Sequence, residues 1–414
     1  MITRRKFFSG AAALASASTF LTRLGRGAEI VGGTSPGPQA STSYTPVTTL
    51  NGTTLPWKMV DGVKEFHLVA EPVKREFALG MTVNCWGYNG QTPGPTIEAV
   101  EGDRVRFIVT NKLPEPTSVH WHGALLPNGM DGVAGLTQKP IQSGETVKYE
   151  FTLRQQGTLM YHPHYDEMLQ MAMGMMGFFI IHPKVPPPVR VDRDYAIFLM
   201  EWAVAPGTYT PNPNIMTDFN LFTFNSRVWP GTAPMIARLG ERVRVRLANL
   251  SMDSHPIHMH GHQFYVTGTD GGIVPETARW PENTVNVPVG ATRDIEFIAE
   301  NPGDWAFHCH KSHHTMNVMS HDIPNMIGVN QTGAAVNKLI PGTMAMGSAG
   351  MGEMTEMNMG APKNTLPMMA GNGPFGSLGM GGMFTVVKIR ENLEGDKDPG
   401  WYQQPEGTGV TKVG

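Results

Sequence analysis

The chain has 414 residues, a formal net charge of −3, and abundant glycine (48) and proline (33). Such balanced charge carries no footprint of nucleic acid or of a charged surface partner, and two cysteines cannot build a disulfide framework. The length allows two or three domains with real cores, and the turn-rich, helix-poor composition points to an all-β fold.

The first element in chain order is MITRRKFFSGAAALASASTFLTRLGRGAE, in which Arg4 and Arg5 precede Phe7, Phe8 and a short run rich in Ala and Ser. This predicts a twin-arginine signal peptide over 1–28, because the apolar run is too short to anchor in a bilayer. The expected partner is the twin-arginine export machinery. The expected location is periplasmic or exported, with no membrane attachment after processing. Residues 29–56, rich in Ser, Thr, Gly and Pro, read as an extended N-terminal arm. Strand-length runs broken by turns fill the first predicted domain, 57–185: KREFALGMTVNCWGYNG, DRVRFIVTNKL, TVKYEFTL and GFFIIHP. A rigid VPPPV follows at 185–189. The second predicted domain, 189–391, holds DYAIFLMEWAV, RVRVRLANL, QFYVTGTDG, TRDIEFIAE and WAFHCH.

The two sets parallel each other. Each has a GDRVRF or GERVRVRL strand, then a His-x-His pair, then a strand running into a second His-x-His pair. This predicts an internal duplication, with two antiparallel Greek-key β-sandwich domains as the natural architecture. A Gly-, Pro- and Met-rich insert spans 336–383, and FTVVKIR (384–390) reads as the closing strand of the second domain. The tail, 392–414, is polar and reads as loose.

The chemistry concentrates in four motifs: HWH (120–122), HPH (162–164), HPIHMHGH (255–262) and HCHKSHH (308–314). Alternate residues of a strand share a face, so each His-x-His pair presents two imidazoles side by side. In HCH, His308 and His310 therefore face one site while Cys309 faces another, and the cysteine becomes a covalent link between two metal centres. One thiolate among so many imidazoles does not suit a closed zinc site. One Cys, two His and a weak axial Met form the blue-copper electron-transfer set. That set is His255, Cys309, His314 and Met319, with Met316 and Met380 as other candidates for the axial place.

The segments YNGQTPGPTIEAVEGDRV, SVHWHGALLPNGMDGV, HPIHMHGHQFYV and WAFHCHKSHHTMNVM resemble the copper signatures of the multicopper oxidases, over about residues 80–320. The resemblance implies two cupredoxin-like domains and four coppers per chain: one type 1, one type 2 and two type 3. It implies that His120 and His258 bind the type 2 copper, and that His122, His162, His164, His260, His308 and His310 bind the type 3 pair. It also makes Asp131 the proton-relay aspartate, with an ordinary turn aspartate before Gly132 as the plain alternative. The implied activity couples one-electron oxidation of a reductant, Cu(I) or a phenol, to four-electron reduction of dioxygen to water.

The two repeats differ from each other, and the chain differs from the usual family member. Pro163 stands where Cys309 stands in the second repeat, so only the second domain is expected to hold a type 1 copper. Cys85 fits no ligand spacing and reads as an inert core residue. The second motif set begins too soon for a middle domain, which resembles the two-domain laccase-like enzymes and implies a homotrimer whose clusters form between subunits. Some relatives carry a glutamate just before the last type 1 histidine, where this chain has His313.

Methionine is over-used at 28 residues, notably in MLQMAMGMM (168–176) and in the insert. Thioethers favour Cu(I). The first stretch reads foremost as core packing, the second as copper binding, which makes a periplasmic cuprous oxidase of the copper-resistance type the leading reading beside a phenol-oxidising laccase. The alternatives are a copper-containing nitrite reductase and a non-catalytic copper-storage protein.

Overall fold

The computed structural model describes residues 44–317, 363–368 and 371–413. The expected signal peptide, most of the arm, Met319 and most of the Met-rich insert lie outside those residues. Among the described residues the chain is nearly all-β. Its one α-helix is Glu167–Ala172, and three 3-10 turns cover Asn128–Met130, Glu276–Ala278 and Ser312–Thr315. No described helix is long and apolar enough to cross a membrane.

In the first half, one sheet runs Trp57–Val60, Val63–Ala78, Arg104–Asn111 and Thr146–Thr152, with Met81–Tyr88 paired to the long second strand. Its partner sheet runs Ile97–Val100, Gly177–His182 and Gly157–Tyr161. Strict alternation explains the packing: in Arg104–Asn111, Val105, Phe107 and Val109 point inward and are fully buried while the arginines face out. They meet Trp121, Tyr161 and Phe179 in one apolar core. In the second half, an eight-stranded sheet built on Arg193–Trp202, Arg242–Asn249 and Ala291–Ile298 faces a five-stranded sheet. The smaller sheet runs Met235–Arg238, Phe384–Arg390, Gly303–Cys309, His255–Met259 and Thr284–Val287. The strand expected over 384–390 is thus present and pairs on both sides.

The duplication reaches single hydrogen bonds. Asn111, fully buried, donates from Nδ2 to the carbonyls of Glu115 and Ile141 and accepts from the Leu113 N–H. Asn249 repeats this with Asp253, Val287 and Ser251. Each asparagine ends its strand and aims the chain at the following His-x-His pair.

A third apolar cluster joins the halves, with Phe77, Val83, Cys85, Met160 and Phe178 meeting Phe198, Met200, Trp202 and Leu221. Cys85 is buried in that joint, as an inert apolar residue would be, and burial raises its thiol above the usual range. The arm enters here too, since Thr48–Thr49 pairs in parallel with Arg193–Trp202 of the second half. Asn317 is hydrogen-bonded to Pro367 and Met368: its N–H to the Met368 carbonyl, 2.8 Å, and its Nδ2 to the Pro367 carbonyl, 3.0 Å. Just before Pro367, Asn364 bonds to both Thr82 and Thr208, and Leu366 is buried in the joint.

Part of the tail is tied to the second half. Asp396 pairs with Arg193, Asp398 with Lys388 at 2.5 Å, and Asp304 holds both Arg390 and the Tyr402 N–H. Trp401 lies under the Lys388 ammonium and is half-buried with Tyr402, between exposed residues on either side.

Candidate functional site

In the first half, the bridge between His120 and His162 brings the motifs HWH and HPH edge to edge. His120, His122, His162 and His164 then form a quartet, with ring centroids 5.3 to 6.3 Å apart for the contacting pairs. His120 donates from Nδ1 to the Asp131 carbonyl (2.8 Å), and His162 donates from Nδ1 to the Pro163 carbonyl (2.9 Å). Those bonds fix the tautomer and leave each Nε2 open as a ligand. The His162 Nε2 sits 3.2 Å from His122 Nδ1. Asp131 also brings its carboxylate to 3.4 Å from His120 Nδ1. Gly132 makes this turn possible: its φ is +85°, and a Cβ there would overlap the Val119 carbonyl.

The second half repeats the design. Register pairs His258 with His308 and Ile257 with Cys309 across adjacent strands. His258, His260, His308 and His310 form the second quartet, with ring centroids 4.8 to 5.6 Å apart. His258 Nδ1 donates to the Asn283 carbonyl (2.7 Å), His308 Nδ1 to the Cys309 carbonyl (2.9 Å), and His308 Nε2 lies 3.2 Å from His260 Nε2. Among the described residues, no ring contact or hydrogen bond joins the two quartets.

On the other face of HCH, Cys309 Sγ lies 3.8 Å from His255 Nδ1 and 3.5 Å from His314 Nδ1, with the two nitrogens 3.1 Å apart. All three residues are fully buried. Burial pushes the Cys309 thiol up to about 12 and holds His255 down to about 3 and His314 to about 2. It likewise lowers His162 to about 3 and His308 to about 4. These imidazoles are neutral at neutral pH, as ligands must be, and the thiol gives up its proton only to a cation. One thiolate and two imidazoles closing on one point fit copper. Of the axial candidates, Met319 lies outside the described residues. Met380 packs with Trp229, Phe384 and Val386. Phe384 is paired with His308, so Met380 lies on the His308 side of the sheet, away from Cys309 Sγ. Met316 is buried two residues after His314.

Several residues around these sites have no signal in the sequence. Thr117 holds the position that His255 holds in the repeat, and its hydroxyl bonds to the buried Gln170 (2.7 Å). Gln170 in turn donates to Glu115 and Pro116. Thr117, Pro163 and Gln170 thus fill with neutral hydrogen bonds what the second half fills with Cys and His. Glu167, first residue of the helix, places its carboxylate 3.8 Å from His162 and 3.9 Å from His164. Glu201 lies 3.5 Å from His255 Nε2, whose nearer partner is the Ser251 hydroxyl at 2.9 Å. Burial raises the Glu201 carboxyl to about 7. A cavity of about 620 Å³ joins these features, lined by the first quartet and Glu167 at one side and by Glu201, Ser251 and Met252 at the other. Met168, Met171 and the buried Met176 of the MLQMAMGMM stretch also line it, whereas Met173 and Met175 are buried away from it.

The multicopper oxidase family matches residues 70–186 and again 206–327, together more than half of the chain. Copper resistance protein A of Escherichia coli is 42% identical over 114 residues, 28% of this chain and 18% of that protein. Laccase-2 of Botryotinia fuckeliana is 30% identical over 298 residues, 63% of this chain and 50% of that protein. The chain thus spans half or less of these curated relatives. Among solved structures, the blue copper oxidase from Nitrosomonas europaea superposes with a TM-score of 0.57 at 26% identity, covering 78% of this chain and 85% of that one. Two family matches in tandem, falling on two sandwiches that each carry a histidine quartet, place this chain in the multicopper oxidase family, whose members bind copper.

Proposed function

We propose that the protein is a periplasmic multicopper oxidase that takes electrons one at a time from a small reductant and passes them to dioxygen, giving water. The observation that carries this reading is the strand ending in HCH. Cys309 Sγ closes a trio with His255 and His314 on one face, and His308 on the other face stands 3.2 Å from His260. When bound, one type 1 copper and a cluster of one type 2 and two type 3 coppers supply the one-electron and four-electron chemistry. The chain's own part is to hold that geometry dry and to move protons. His255 and His314 present Nδ1 from a buried pocket, the backbone carbonyls at Asp131, Pro163, Asn283 and Cys309 orient the quartets, and Asp131 is the carboxylate placed to deliver protons beside His120.

The separation of the quartets supports a homotrimer, in which the first-half quartet of one subunit meets the second-half quartet of the next. A cluster needs both, and heterologous contacts that close a ring supply it. Export by the twin-arginine route suits a protein that folds first. The complete HPH motif argues against nitrite reduction, which needs one type 2 copper only, and the HCH link has no purpose in copper storage. Copper counting and dioxygen uptake test the reading together. The loaded protein is expected to hold four coppers per chain, to be blue, to run as a trimer in light scattering, and to consume dioxygen with Cu(I) or a phenol but not reduce nitrite. Cys309→Ser should abolish the colour and the uptake; a blue Cys309→Ser protein would defeat the assignment.

Between the two reductants, the methionines of the insert favour Cu(I). Deleting 344–361 spares the hydrogen-bonded return at 363–368. The shortened protein is expected to show a higher KM for Cu(I) with phenol kinetics kept or faster; equal Cu(I) kinetics would leave a general laccase.

A further inference from the structure

The large sheet of the second half carries a ladder of charge on the face opposite its apolar core. Along the strand Arg242–Asn249, Arg242, Arg244 and Arg246 alternate with the core residues Val243 and Val245, and register sets Arg244 beside Glu296 and Arg246 beside Asp294. Arg246 donates from Nε and Nη2 to Asp194, both at 2.8 Å, and from Nη1 to the Thr158 hydroxyl of the first half at 2.6 Å. Arg244 donates from Nε and Nη2 to Glu296 Oε1. Over this ladder lies a second cavity, of about 310 Å³, lined from both halves. Its apolar wall is Pro186, Pro187 and Pro188 of the linker with Ile181 and Ile273. The fixed φ of proline keeps that wall rigid before anything binds. The arm closes one end, where the Tyr44 ring stacks on His182 with centroids 3.6 Å apart.

Two features of this cleft are left over from folding. Gln156 lines it, and its side-chain Oε1 is buried with no hydrogen-bond partner, although buried acceptors are ordinarily satisfied. The charges are also unequal. On the floor three arginines meet Asp194, Asp294 and Glu296, but at the rim Arg190 and Arg279 face Glu276 alone. Neither rim arginine makes an ion pair among the described residues, and Arg279 is oriented by donating from Nε to the Val274 carbonyl at 3.0 Å. We propose that the cleft binds a small aromatic carboxylate that carries a hydroxyl group. The planar guanidinium of Arg279 suits a carboxylate, the proline wall takes the flat ring, and the hydroxyl donates to Gln156 Oε1. A volume of about 310 Å³ fits one substituted ring and leaves a bare inorganic anion loose. No residue of the quartets or the trio lines the cleft, so the ligand held here is an effector and not the reductant. It joins Gln156 of the first half to Arg279 of the second, and the strand that starts beside Gln156, Gly157–Tyr161, runs directly into His162.

The test titrates the copper-loaded full chain calorimetrically with para-hydroxybenzoate, benzoate and inorganic phosphate. A single para-hydroxybenzoate is expected to bind each chain, about fivefold tighter than benzoate, as one added hydrogen bond provides. Phosphate should bind more weakly than either. The Tm should rise with the ligand, and the electron paramagnetic resonance of the copper should not change. Arg279→Gln should weaken both aromatic acids roughly tenfold, as loss of a charged hydrogen-bonding partner does. Gln156→Leu should bring para-hydroxybenzoate down to the level of benzoate and leave benzoate itself unchanged, a split that a merely structural role would not produce. The Tm and the type 1 absorption band of each unliganded variant report whether its fold is kept; should one variant fail, the other decides the matter. Absent binding, phosphate that binds as tightly as para-hydroxybenzoate, a copper signal altered by the ligand, or affinities unmoved by Arg279→Gln and Gln156→Leu overturn the site.

Discussion

Asn111 and Asn249 do the same work at matching places, each tying a strand end to two carbonyls and an amide that water cannot reach. Removing either side chain orphans several buried groups at once, so Asn111→Ala and Asn249→Ala are each expected to cost about 2 to 3 kcal/mol in urea unfolding of the metal-free protein. Asn249→Ala should also blur the type 1 absorption band, because Ser251 and the approach to His255 hang from that side chain. Asp131→Asn keeps the carbonyl that holds His120 but cannot carry a proton. It should lower dioxygen turnover roughly a hundredfold while the blue colour stays, as loss of a general acid does; unchanged turnover would return Asp131 to a turn residue. The histidines and Cys309 were legible because their spacing repeats the period of a strand. Asn111, Gln170 and Glu201 were not, because each is defined by partners distant in the chain, and one buried polar residue looks like any other in a sequence.

At the scale of elements, the strands were readable from alternation, and FTVVKIR was readable across a long insert because its apolar positions match a buried strand. The anchors of the tail at Asp396, Asp398 and Trp401 were not readable, because they are salt bridges and one cation–π contact, for which local composition has no code. The histidine-bearing strands give a pH prediction. His162, His255, His308 and His314 are held below the ordinary histidine value of 6.5 by burial. Above that value, folded and unfolded chains are both neutral at these sites and stability is full. As pH falls below it, the unfolded chain takes up protons that the folded one refuses, so stability drains away until the folded values, about 2 to about 4, are reached. The slope is about 1.4 kcal/mol per pH unit for each such histidine. The Tm of the metal-free protein should therefore fall steeply from pH 7 to pH 5, and copper should restore it; a flat Tm would mean that these rings are solvated.

At the scale of the molecule, two sandwiches share a third core, and Phe198 sits fully buried in that joint against Phe178 at 4.8 Å. Phe198→Ala should cost about 3 to 5 kcal/mol and destabilise both halves together, seen as one lowered calorimetric transition. Two separate transitions would mean that the halves fold alone. The duplication was visible in the sequence, whereas the joint was not, since its residues alternate with those of the two inner cores along the same strands. The meeting of Asn317 with Pro367 and Met368 has an evolutionary consequence. Because Asn317 and Pro367–Met368 hold each other directly, the places of His314 and of the strand 384–390 are set by these contacts rather than by the residues numbered between them. A lineage can therefore change the sequence between those two points while His314, three residues before Asn317, stays where Cys309 needs it.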